Sequence, residues 1–328
     1  MHAWEGDPPR QQPTPDYGSA GPGSDLRPDR SLDPHAGSWR VLFAVAAGIL
    51  LAVPFATGSA RAAWVEIAQF LSLHGKPVPA SPAVLSQHEI ERLDHQSAQK
   101  QAELLLERAI NHYEGANDQI ATRVDGWRGR LKLSSQLHSL ITTALNSDDL
   151  RVRAAGIEVD LAAMGVAKIP ESVERLSQQA VTGPQSERVW VLWQLGLLGN
   201  RGVEPERVNQ ILVSQLQDSD PEVRHWAVEG LAYLGTNETI APLLQVFHDD
   251  PSPMVRERAA CSLAQSGMLS QEQRRGVVPQ LLNYADDAAL DAQTHTWVYQ
   301  ALRDITGQNL PNDSAAWKSW YSSGGGGN

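Results

Sequence analysis

The 328 residues carry 27 Lys plus Arg against 38 Asp plus Glu, a formal charge of −11, with 41% apolar and 20% charged side chains. This is a globular composition able to build a sizeable core, and its acidity excludes a nucleic-acid binder unless the basic residues gather on one face. From Leu131 to Tyr321 there are 15 basic and 23 acidic residues and no basic stripe, while a lone Cys261 excludes an intramolecular disulfide or a cysteine-based zinc knot.

Residues 1–38 are rich in Pro, Gly, Asp and Ser, with almost nothing branched and apolar to bury, and read as a disordered tail. Residues 39–60 come next as a transmembrane signal-anchor. The uncharged run from Val41 to Ala60 has 20 residues, the length of a bilayer-spanning helix, with Trp39 and Trp64 at its flanks. A signal peptide cleaved at Ala60-Arg61-Ala62 is the rival reading, and a buried core helix a third. Arg27, Arg30 and Arg40 before the span, against Arg61 and Lys76 after it, favour a cytoplasmic amino terminus with the rest of the chain outside the cytoplasm. Cleavage would instead leave a secreted or periplasmic protein.

Residues 61–86, with Gly75, Pro77, Pro79 and Pro82, form a linker. Residues 87–130 are expected to form a helical hairpin that caps the carboxy-terminal helices. Its first helix is predicted from Ser86 to about Tyr113, with Ile90, Leu93, Ala98, Ala102, Leu105, Ala109 and Ile110 as its stripe; the second runs from Ala116 to Arg128 with Ile120, Val124 and Trp127.

An internal repeat occupies residues 131–306. Asp220-Pro221-Glu222-Val223-Arg224 leads to Ala227, Leu231 and Gly235; Ser252-Pro253-Met254-Val255-Arg256 leads to Ala259, Leu263 and Gly267. Arg188 heads a third copy with Val191, Leu195 and Gly199, and Arg153 an earlier one whose Gly165 falls a residue late. The copy around His295 to Thr306 is looser, as a terminal copy should be. Each copy is preceded by a second apolar segment: Leu137 to Leu145, Val173 to Val181, Val208 to Leu216, Ile240 to Phe247 and Val277 to Tyr284. The expectation is five helix pairs, with Asp220 or Ser252 as N-cap, Pro at the first helical position, and Gly199, Gly235 and Gly267 ending helices in left-handed turns. Residues 307–328 add a short helix around Trp317 and Trp320 and a glycine-rich terminus.

The Asp-Pro-x-Val-Arg-x-x-Ala pattern resembles HEAT-like repeats, including those of bilin lyases. The resemblance implies an all-α fold, an α-solenoid serving as an interaction scaffold for a protein partner, with Arg153, Arg188, Arg224 and Arg256 matching the family's structural arginine. A lyase or chaperone-lyase acting on a bound cofactor or protein is the alternative that the bilin-lyase likeness implies.

No phosphate loop, dinucleotide fingerprint, Gly-x-Ser-x-Gly elbow or His-Glu-x-x-His occurs, so no catalytic residue, cofactor, metal or small-molecule substrate is expected. Among HEAT-like enzymes, the deoxyhypusine hydroxylases use several His-Glu pairs as iron ligands, whereas His88-Glu89 is the only such pair here and lies outside the repeats. His88 and His95 share a predicted helix two turns apart and read as a solvated face. The acidic pairs Asp148-Asp149, Asp249-Asp250 and Asp286-Asp287 read as turn and capping residues. Trp190, Trp226 and Trp297 stand two residues after the repeat arginine or His295, with Arg258 in that slot of the intervening copy. That slot flanks the core stripe. It faces either the next repeat, as packing, or the inner groove, as a partner-binding row.

Overall fold

A computed structural model describes residues 83–325. The tail, the expected span at Val41–Ala60 and most of the linker lie outside the described residues. Among those described, no helix is long and apolar enough to cross a membrane.

The helices are α1 (Gln87–Asp94), α2 (Ala98–Ile110) and α3 (Ala116–Trp127), then five antiparallel pairs and a closing helix. The pairs are α4 (Ser135–Leu145) with α5 (Leu150–Ala163), α6 (Pro170–Thr182) with α7 (Gln185–Asn200), α8 (Pro205–Gln215) with α9 (Pro221–Leu234), α10 (Ile240–Asp249) with α11 (Pro253–Ala264), and α12 (Gln271–Tyr284) with α13 (Ala292–Thr306). Helix α14 (Ser314–Trp320) closes the chain of helices, its Trp317 fully buried. The result is an α-solenoid.

The single amphipathic helix expected from Ser86 to Tyr113 is two helices. Its apolar stripe steps five positions from Leu93 to Ala98, and there Ser97 turns extended (φ −64°, ψ 152°) to accept the Lys100 N–H as the N-cap of α2. Gly199 also departs from expectation. Helix α7 continues through it to Asn200, and the left-handed turn is made by Gly202 at φ 82°. A side chain at Gly199 would collide with Leu234 Cδ1 at 2.6 Å, so this glycine serves close packing. Ser252, unlike Asp220, makes no side-chain cap; Asp250 Oδ1 accepts its N–H at 2.8 Å instead.

Second helices of neighbouring repeats pack most intimately at α7 and α9, where Gly196 lies against Gly230. A Cβ on Gly196 would stand 2.3 Å from the Gly230 carbonyl oxygen, an obstacle that only backbone movement can relieve. Gly196→Ala is therefore expected to destabilise the stack despite its gain of about 1 kcal/mol in helix propensity, because overpacking costs up to about 3 kcal/mol. A lowered urea midpoint, by about 2 kcal/mol net, is the expected reading.

Three of the repeat arginines, Arg188, Arg224 and Arg256, join one repeat to the next. Each donates to a carbonyl at the end of the preceding helix or in the turn after it: Arg188 Nε to Ala180 at 2.8 Å, Arg224 Nη1 to Asp218 at 2.9 Å, Arg256 Nη1 to Asp250 at 2.7 Å. Each also grips a carboxylate beside the following repeat's second helix. Arg188 pairs with Asp218, Arg224 holds Asp250 through two bonds of 2.8 and 2.9 Å, and Arg256 reaches Asp291 at 2.6 Å. These rungs lock helix pairs two to five in register.

Candidate functional site

Trp190, Trp226 and Arg258 come from equivalent positions of α7, α9 and α11; Trp226 is buried, and Trp190 and Arg258 are half-buried. The Trp190 and Trp226 rings lie 5.4 Å apart, and Trp193 meets Trp226 edge-on at 6.2 Å. Trp226 is only 7% exposed, and its Nε1–H donates to Glu222 Oε1 at 3.0 Å. Arg258 forms an ion pair with buried Glu229, Nε to Oε1 at 2.6 Å, and lies 3.9 Å from the Cys261 sulfur. His225 packs edge-on against Trp226, and burial pushes its imidazole below the usual range, toward the neutral form. Trp297 is half-buried on α13 and shares no ring contact with the other three among the described residues. At Trp226 neighbours within the stack cover the ring.

Beside this row lies a carboxyl that sequence reasoning did not single out. Asp160 on α5 is buried, and its Oδ2 accepts the Trp193 Nε1–H at 3.2 Å. Tyr233 stands 4.5 Å from Trp193 and donates its hydroxyl to the Leu145 carbonyl at 3.3 Å. Burial pushes the Asp160 carboxyl up to about 6. A signal for it existed: Asp160 stands seven residues after Arg153, where the later copies carry Leu195, Leu231 and Leu263.

The accessible concavity is elsewhere. First helices α10 and α12 flank an open recess of about 610 Å³ whose walls include Gln245, His248, Asp249, Gln280, Tyr284 and Asp287. His248 spans it, Nδ1 lying 2.5 Å from Asp249 and Nε2 2.9 Å from Asp287 of the next repeat. The hydrogen bond to Asp249 leads the influences that raise the imidazole above its usual range, and the Tyr284 ring packs 4.8 Å away. The two carboxylates lie at opposite ring nitrogens and so do not converge on one ion. Among the described residues no group of three His, Cys, Asp or Glu is placed to hold a metal. The recess offers hydrogen-bond acceptors, amides and one aromatic face.

The remaining expected site residues are dispersed. Helix α1 ends at Asp94, so His95 caps it instead of sharing a helical face with His88. Asp149 caps α5, Asp250 belongs to an arginine rung, and Asp286 pairs with Lys318.

Residues 173–264 match the family model of HEAT repeats. A crystal structure of an engineered protein, a Northeast Structural Genomics Consortium target, is similar at 15% identity over 64% of this chain and 89% of its own, with a TM-score of 0.30. No curated protein is a match.

Proposed function

We propose that this HEAT-like repeat protein is a scaffold that binds a protein partner, held at a membrane by the Val41–Ala60 segment with its repeats outside the cytoplasm. The open recess between α10 and α12 carries the reading, because it is an accessible concavity on a stack whose Trp193 and Trp226 are already buried. The rigid rungs beneath it favour a preformed surface, which lowers the ordering cost of association.

The test places a photo-crosslinking residue at Gln245 or Asn283, both exposed at the recess, and at exposed Gln178 on α6 as control, in native membranes. One defined protein captured from the recess, and lost by about tenfold or more in Tyr284→Ala, is the expected result; a tenfold loss corresponds to about 1.4 kcal/mol. Identical capture from Gln178 would remove the recess from the proposal. Carbonate extraction of the same membranes should leave the full chain in the pellet, whereas a soluble species starting near Ala63 would establish cleavage.

A further inference from the structure

The first helix pair is attached to the stack differently from the later ones. Rungs run from Arg188, Arg224 and Arg256 to Asp218, Asp250 and Asp291, but the turn after Arg153's own repeat reads Thr182, Gly183, Pro184 and holds no carboxylate. Arg153 reaches instead to the end of α11. Its Nη2 donates to the Gln265 carbonyl at 2.9 Å and its Nη1 to that of Gly267. Arg274 caps the same helix end through the carbonyls of Ser262, Leu263 and Ser266, so two guanidinium groups share one helix terminus. Where α7 and α9 meet glycine to glycine, α5 touches α7 through Asp160 and Trp193, and the end of α4 meets α9 through Leu145 and Tyr233.

We propose that this seam is a pH-responsive joint, in which a neutral Asp160 carboxyl lets α5 close on α7 and ionisation of that carboxyl loosens the first helix pair from the stack. Burying a carboxylate without a cation is costly, and no Lys, Arg or His among the described residues pairs with Asp160. The surrounding ionisable groups are engaged elsewhere. From α11, Arg258 is bound to Glu229 of α9; Lys168 and Arg201 hold Glu158 on α5 itself, and Asp125 of α3 lies 3.9 Å from Lys168. Tyr233 of α9 keeps its proton, since burial raises it further. Arg153 is spent on carbonyls, and no charged group of α2 or α4 forms an ion pair with Asp160.

Burial raises the carboxyl from 3.8 to about 6. The closing contribution is therefore fully present below the unfolded value and is lost as pH rises through the folded one. Between about pH 5 and about pH 7.5 the closed-to-open ratio falls about tenfold.

Hydrogen exchange of the full-length chain at these two pH values, corrected for intrinsic exchange, tests the joint. Amides of α4 and α5 should exchange about tenfold faster at the higher pH, those of α9 and α11 equally at both, and Asp160→Asn should abolish the difference. Equal protection of α5 at both pH values in the unmodified protein would overturn the proposal, as would a difference that survives in Asp160→Asn. Should that variant not fold, Trp193→Phe decides. Removing the donor to the carboxylate should widen the difference beyond tenfold, and an unchanged ratio would overturn the joint.

Discussion

Trp226→Ala is expected to lower the unfolding free energy by about 3–5 kcal/mol, the range of a buried aromatic truncation. The ring is buried, lies tilted 5.4 Å from that of Trp190, meets Trp193 edge-on and donates to Glu222. Aromatic pairs add about 0.5–1.5 kcal/mol beyond area burial, and the hydrogen bond adds about 1 kcal/mol. Removing the side chain opens a cavity between α7 and α9, which the glycine contact below it prevents from collapsing freely. Urea unfolding followed by circular dichroism measures the loss. A drop under about 1.5 kcal/mol would show a ring facing solvent and defeat the inter-repeat assignment.

Arg224→Ala is expected to cost a similar 3–5 kcal/mol, for an electrostatic reason. Asp250 is held bidentately, and both partners are deeply buried, with side-chain exposures of 9% and 4%. Deleting the guanidinium leaves a buried carboxylate whose remaining donor is the Ser252 N–H. Arg224→Lys should rescue only a small part, because an ammonium lacks the planar fork that matches two oxygens. The neighbouring rung supplies the internal control. Asp291 is 54% exposed in its pair with Arg256, so water can take over there and Arg256→Ala should cost about 1 kcal/mol. Equal losses at the two arginines would show that burial does not set the strength of the rung.

Much of the repeat architecture was legible because short-range chemistry writes it. Asp220-Pro221 marks a helix start, Gly235 and Gly267 mark ends, and the apolar stripe between them has nowhere to go but against another helix. The legibility fails where the deciding partner is distant. Arg153 carries the same motif as the other repeat arginines and donates its Nε to the Ser147 carbonyl, yet its other two acceptors lie 112 and 114 residues away, beyond any local pattern. The missing carboxylate at Gly183-Pro184 was visible; the substitute was not. The placement of Trp226 was left open by the sequence for a related reason. Spacing places Trp190 and Trp226 on a flank, and only the approach allowed by Gly196 and Gly230 decides that Trp226 is covered. The recess was not legible because Asp249 and Asp287 come from two repeats, each reading as an ordinary turn residue in its own, and His248, which joins them, stood out in neither.

Every rung in the ladder crosses a repeat boundary, with the arginine on one side and its aspartate on the other. Consequently a whole helix pair can be duplicated or excised between Arg188 and Asp291 with each remaining arginine still meeting an aspartate, since the incoming turn supplies the same residue as the one it replaces. The junction after Arg153 has no such interchangeable fitting. Such a change would also alter the number of helix pairs between Arg153 and the helix end at Gln265 and Gly267 to which it is keyed, so the amino-terminal contact fixes the count that the arginine rungs by themselves leave free.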